Sequence, residues 1–344
     1  MLFYLPLCCH QRLAEMGRLH LTTISVLFMC CIALCSSARL APFSHSRKLS
    51  ALVPEPPLIL PYHDGPLLSG HGVLKVHLLW YGSFSASQRS TILDFLASFQ
   101  SKGAQQPSVS SWWKIASGYK DSTGSPVFTS VQPVEQLMDP TYSLGKNLKR
   151  ADLQDLILKA ISSASFPLDM KALYLVLTAD DVYVDGFCVD SCASHTYANS
   201  NTLVNGQQKF PIAWVGNSIT RCAGKCAWPF ANPKAFGGPD TPALVPPNGD
   251  AGVDGMIINI ATIVADAATN PFGTGYYQGL ADAPLEAATA CSGIFGKGAY
   301  PGYAGELLVE KFNGASFNVH GVNNRAFLVP ALWNPATLSC YSPS

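Results

Sequence analysis

Eleven cysteines are spread so unevenly along this chain that their placement limits the fold more than any other feature. Five of them, Cys8, Cys9, Cys30, Cys31 and Cys35, fall near the start. There, residues 16–38, "MGRLHLTTISVLFMCCIALCSSA", combine a basic start at Arg18, an apolar run from Ile24 to Leu34 and small residues Ser36, Ser37 and Ala38. That is the pattern of a cleaved secretory signal. The run is shorter than the roughly 20 apolar residues that span a bilayer, and no later segment is expected to be long and apolar enough to span. Met16 serves equally well as a start, so residues 1–38 are assigned as a secretory signal region. Cys188, Cys192, Cys222, Cys226, Cys291 and Cys340 then remain. An even number in an oxidising compartment predicts disulfides. "CVDSC" and "CAGKC", with His195, also have the spacing of a zinc site, but oxidation competes with thiolate ligation outside the cell. A cysteine nucleophile would need a free thiol. No metal or cofactor is therefore expected. Because the two close pairs cluster along the chain, Cys291 is expected to join Cys340. Cys188 and Cys192 pair either with Cys222 and Cys226 or within their own loop.

Charge is balanced, with 22 basic and 22 acidic residues, which provides no electrostatic footprint for nucleic acid or an anionic membrane. A hydrophobic content of 48% argues against disorder. Residues 39–60 are proline-rich and aperiodic and read as an N-terminal arm, so the folded domain is assigned to 61–344. "GVLKVHLLWYG" reads as a buried strand, and the helix after it is announced by a Ser85/Gln88 capping box and the apolar face Ile92, Phe95, Leu96 and Phe99. "SWWKIASGY" reads as part of a second helix and "PVFTSVQPVEQ" as a β segment. "KRADLQDLILKAISSA" is an amphipathic helix, and "MKALYLVLTADDVYV" and "FPIAWVGN" are further strands. The fold class is α/β (α+β): one disulfide-tied domain with a mixed sheet and flanking helices.

Chemistry is harder to find. "GNSIT" has Thr220 where a nucleophile elbow needs glycine, and neither a phosphate loop nor a dinucleotide fingerprint is present. Asp180 and Asp181 follow a strong strand and are candidate ligand-facing carboxylates, set against the reading that they belong to a solvated turn. Asp185 and Asp190 fit no calcium-loop spacing. His63, His71 and His77 read as surface or satisfied core histidines. Trp112, Trp113, Trp214, Trp228 and Trp333, with Tyr276, Tyr277, Tyr300 and Tyr303, are either core or a sugar-stacking platform. "DGMIINIATIVADAATNPFG" reads as a buried helix with one polar stripe of Asn259, Thr262 and Asp266. Its "TNP" ending resembles that of the metal-bearing helix in some secreted zincins, so a degenerate zincin-like core is a candidate. On that register Thr262 and Ile263 stand where His and Glu belong, and only Asp266 keeps a ligand type. Neither Asp282 nor Glu286 is read as replacing the missing imidazole. The stripe is expected to hydrogen-bond internally.

"YHDGPLLSG", "LLWYGSFSASQRSTILDFLASF", "GFCVDSCASH", "WVGNSITRCAGKCAWPF", "NPFGTGYYQG", "GKGAYPGYAGELLV" and "NGASFNVHGVNNRAFLVPALWNPATLSC" together resemble the plant Exordium, or phosphate-induced protein, family. The resemblance runs from Tyr62 to Cys340. It implies a protein secreted to the apoplast or cell wall, linked to cell expansion and to growth signalling by brassinosteroid or carbon status, and it implies no reaction. The expected mode is non-catalytic binding of a wall polysaccharide or a receptor ectodomain, with Asp180, Asp181, His195, Trp214 and Trp228 as candidate ligand-facing residues. The alternative is an atypical hydrolase of wall glycan or protein. No N-x-S/T sequon occurs, so N-glycosylation is not expected.

Overall fold

The computed structural model describes residues 57–200, 208–281 and 283–343. The signal region, most of the N-terminal arm and Asp282 lie outside the described residues. The core is a five-stranded mixed sheet of β1 (Val73–Tyr81), β2 (Ser130–Asp139), β3 (Leu173–Thr178), β4 (Ala193–Ser200) and β5 (Gln208–Gly216), in the order β2-β1-β3-β5-β4. β1 runs parallel to both β2 and β3, and β3 parallel to β5, while β4 pairs antiparallel at one edge. The central strands are buried on both faces, which is why "LLWY" and "LYLVLT" are continuous apolar runs rather than alternating ones. Pro133, which cannot donate to a ladder, sits in edge strand β2 beside the register shift between Val76 and Leu78.

Three helices cover this sheet. α1 (Ala86–Ser98) starts at the expected capping box, with Gln88 N donating to Ser85 Oγ at 3.1 Å and Ser85 N to Gln88 Oε1 at 3.0 Å. α2 (Arg150–Ser162) buries Leu153, Leu156, Ile157 and Ala160. α3 (Ala251–Thr269) is capped by Asp250, whose Oδ1 accepts from Gly252 N and Val253 N. Against the expectation that no segment after the signal is long and apolar enough to cross a membrane, this one is, but 83% of its most apolar window is buried against the rest of the domain, so it is a core helix. Gly255 allows this burial: a Cβ there would lie 2.5 Å from Ala227 Cβ, so any side chain would push the helix off the 223–226 segment.

The six cysteines form three disulfides, Cys188–Cys222, Cys192–Cys226 and Cys291–Cys340. The last is the pair expected from the sequence, and the other two settle the open choice in favour of bridging between the close pairs. Each of those two closes 34 residues of chain, so the first to form stabilises the fold by about 3–4 kcal/mol if its effect is on unfolded-chain entropy. Together they fasten the loop before β4 to the segment after β5. The C-terminal region carries only short strands, and a turn there holds Asn323 and Asn324 at positive φ, which asparagine tolerates better than most residues.

Candidate functional site

β1 lies between β2 and β3, so the chain winds outward from it in both directions. In such sheets a ligand crevice opens at the carboxyl ends of the strands where the winding reverses. Here that place holds Asp181, whose Oδ1 is buried without a hydrogen-bond partner among the described residues. Asp181 Oδ2 accepts from Tyr142 OH at 2.9 Å and from Lys146 Nζ at 2.5 Å, and the Lys146 ammonium also lies 4.4 Å from the Tyr142 ring centroid. Partial burial works to raise the Asp181 pKa, but the Lys146 and Tyr142 hydrogen bonds outweigh it and hold the carboxyl below its ordinary value. Asp180 contributes its backbone carbonyl, which accepts from Thr220 Oγ1 at 2.6 Å.

Trp214 is buried on β5, its Nε1 donating to Thr178 Oγ1 at 3.0 Å and its ring facing the Arg150 guanidinium. The neighbouring position, Ala213, is in register with His195 on edge strand β4. Alternation therefore turns Trp214 toward α2 and His195 toward α3. His195 meets two carboxylates there. Its Nε2 lies 2.9 and 3.0 Å from the two oxygens of Glu286. The side chains of His195 and Glu286 are only 11% and 5% exposed. Asn270, at the end of α3, donates from Nδ2 to Glu286 Oε1 at 2.6 Å and is itself held by Gly275 N on its Oδ1. Asp266, one helical turn before, is fully buried, and its Oδ1 accepts from Ala288 N at 2.6 Å.

The electrostatics follow from this burial. Desolvation, reinforced by the nearby Glu286 carboxylate, pushes Asp266 well above the ordinary carboxylate range, so it stays protonated where most aspartates have ionised. Burial opposes charging of His195, yet the Glu286 carboxylate more than offsets it and raises the imidazole above 6.5. His195 Nδ1 and Asp266 Oδ2 are buried and find no hydrogen-bond partner among the described residues. Both side chains line a cleft of about 830 Å³ whose wall also includes Arg150, Asp190, Ser191 and Thr289. Perturbed titratable groups in a concave place are the physical signature of a functional site.

A second feature is aromatic. Trp228, half-buried, lines two adjoining furrows of about 570 and 450 Å³, with Tyr300 bordering both and Tyr303 the smaller. Tyr300 is 64% exposed and its ring centroid lies 5.1 Å from that of Tyr303. The other aromatics considered from the sequence lie elsewhere. Trp112, Trp113 and Trp333 are core residues, Tyr276 stacks on Tyr62, and Tyr277 stacks on His63. His77 is buried and stacked on Tyr174, with Glu135 Oε2 2.9 Å from its Nδ1.

Residues 60–343 match the family described as "Phosphate-induced protein 1 conserved region". The chain belongs to that family. It is 49% identical over 298 residues to Protein PHOSPHATE-INDUCED 1 of Nicotiana tabacum, covering 86% of this chain and 92% of that one. It is 46% identical over 305 residues to Protein EXORDIUM of Arabidopsis thaliana, with the same coverage, and 47% identical over 297 residues to Protein EXORDIUM-like 2 of the same plant, covering 85% and 92%. No solved structure matches it significantly.

In this phosphate-induced protein 1 family member, the zincin-like register on α3 carries no imidazole. Thr262 Oγ1 donates to Ile258 O, Ile263 is apolar, and Asn259 Nδ2 donates to Gly255 O and Cys226 O. Groups of three or more His, Cys, Asp or Glu arranged to hold a metal are absent among the described residues. Asn259, Thr262 and Asp266 each hydrogen-bond internally, as expected, and Asp266 Oδ2 is left over. Glu286 pairs instead with an imidazole from the edge strand, His195, 91 residues away in sequence. Two lone carboxylates in apolar surroundings, Asp266 within "IVADAA" and Glu286 within "APLEAA", are the signal that could have found this cluster. Acidic residues are almost never fully buried unless paired.

Proposed function

We propose that this family member is secreted to the plant cell wall and serves cell expansion there by binding wall glycan along the Trp228–Tyr300–Tyr303 furrows. The signal-like pattern at 16–38 and the fully disulfide-paired cysteines of the domain support an extracellular setting. One observation carries the binding mode: exposed aromatic faces beside a half-buried Trp228 line a concave apolar surface. Aromatic faces stack on the C–H faces of sugar rings, while tyrosine hydroxyls remain wet and can take up sugar hydroxyls. The growth role is that implied by the family resemblance. A glycan array probed with the secreted mature chain tests the reading. Binding to wall glycans that weakens about tenfold or more, or about 1.4 kcal/mol, in Trp228→Ala is the expected result. Glycan binding that is absent, or indifferent to Trp228, contradicts it.

A further inference from the structure

The cleft lined by His195 and Asp266 lies apart from the aromatic furrows in its lining residues, and the binding reading makes no use of it. Its two leftover atoms complement each other. With Nε2–H directed at Glu286, the neutral imidazole presents Nδ1 as a lone pair, and a carboxylate behind the ring steadies the cation that forms when that nitrogen takes a proton. Asp266 Oδ1 is occupied by Ala288 N–H, so its acid proton belongs on Oδ2, a buried donor without an acceptor. A base and an acid whose environments separate their protonation states are the parts of an acid–base reaction. Glu286 has both oxygens engaged, by His195 and Asn270, so it cannot flank an oxocarbenium ion as glycosidase carboxylates do. A neutral acid donor suits a developing oxyanion on a carbonyl instead.

We propose that His195 and Asp266 form the catalytic pair of an ester hydrolase, acting on an acyl ester of a hydroxyl-rich ligand held in this cleft, with Glu286 and Asn270 as positioning residues. Water bonds to the acyl carbon as its proton passes to His195 Nδ1, and the carbonyl π pair moves onto the carbonyl oxygen, which accepts from Asp266 Oδ2–H. When the tetrahedral carbon collapses, the ester C–O bond breaks and the leaving oxygen takes the proton from His195. The products are one carboxylic acid and one alcohol. His195 returns neutral and Asp266 keeps its proton throughout, so no other reactant is needed. A general base supplies about 10²–10⁴ and an oxyanion donor about 10²–10³. That is suited to an ester, which is more readily cleaved than an amide or a glycoside. Ser191, Ser194 and Thr289 provide hydroxyls along the wall for a polar ligand.

The test uses the secreted mature chain with its disulfides intact, 4-nitrophenyl acetate and acetylated xylan as esters, and 4-nitrophenyl β-glucoside and casein as the competing linkages. Expected is acetate release above buffer with a bell-shaped pH profile. Its acid limb reports His195, and its alkaline limb reports loss of the Asp266 proton. The other charged groups facing the cleft are Arg150, Asp185 and Asp190. His195→Gln is expected to lose about 10²-fold or more in rate. Asp266→Asn, which keeps a donor, retains activity but loses the alkaline limb, and Glu286→Gln moves the acid limb to lower pH. These profile changes would not follow from a structural role and hold even if His195→Gln folds poorly. Asp181→Asn, outside the cleft, leaves the rate unchanged. Absence of ester turnover by the folded wild type, turnover indifferent to all three cleft variants, or His195-dependent cleavage of the glucoside or casein in place of esters overturns the proposal. Trp228→Ala, read on glycan binding alone, keeps failure of the furrow reading distinct from failure of this one.

Discussion

Asp181 and Asp266 are the same side chain in two settings, and they end in opposite states. Asp181 sits at the strand ends where the winding of the sheet reverses, half-exposed, with a lysine and a tyrosine on one oxygen, and its pKa is lowered. Asp266 is fully buried under the edge strand, with backbone donors and a second carboxylate nearby, and its pKa is raised. A carboxylate near water with a cation at hand is stabilised as the anion. One that burial keeps from water, with its nearest cation shared by Glu286, holds its proton and remains available for chemistry. Position at a sheet's switch point therefore does not decide function in this molecule. The partners of the carboxylate do.

Removing His195 breaks the comparison most strongly. His195→Ala strips Glu286 of its counter-charge inside the protein, an uncompensated burial that typically costs about 3–5 kcal/mol, and chemical denaturation should show a loss of that size. Next comes the tether of the edge strand: the double change Cys192→Ser and Cys226→Ser should cost about 2–5 kcal/mol, read the same way, while leaving the Asp181–Lys146 contact intact. If instead the crevice loosens and the cleft does not, the division between the two regions is wrong.

The pH dependence sharpens the contrast further. Burial pushes Asp254, on α3, up to about 7 despite two hydrogen bonds from Asn248, and Asp266 and His195 are raised as well. Each binds its proton more tightly folded than unfolded. For Asp254 the folded state holds the extra proton between its ordinary 3.8 and about 7, so its contribution is fully present below 3.8 and is lost as pH rises through about 7. His195 acts in the same direction, losing its contribution above 6.5. Asp181 has the opposite sign: its contribution is present above 3.8 and lost as pH falls below that. Melting temperature should accordingly be higher at pH 5 than at pH 8, with a flatter slope in Asp254→Asn. A profile that rises from pH 5 to 8 would contradict these assignments. The smallest effect belongs to Lys146→Ala: an exposed ion pair contributes little, so thermal melting should not change measurably.

Much of the sheet was legible because its strands are buried on both faces and its helices carry local start signals. "LLWY", the Ser85/Gln88 box and the apolar face of α2 each point to one conformation. β4 was not legible. "ASHTYANS" is polar, an edge strand with one side toward α3 and the other toward Arg150, and its pairing comes from β5 and the disulfides rather than from its own pattern. That omission hid the site as well. In the sequence His195 stands out for its proximity to Cys192, whereas its chemistry depends on a strand pairing and on a carboxylate 91 residues away that the fold brings to it. Trp228 was visible among the aromatics, but separating it from the buried Trp112, Trp113 and Trp214 required the packing itself.

Glu286 and His195 act as one acid–base unit beside a protonated Asp266. The most direct measurement is an NMR titration of the His195 imidazole in the wild type and in Glu286→Gln. Expected are a midpoint above 6.5 in the wild type, Nε2 protonated in the neutral form, and a downward shift when Glu286 loses its charge. A wild-type midpoint below 6.5, or one that Glu286→Gln leaves in place, would contradict it.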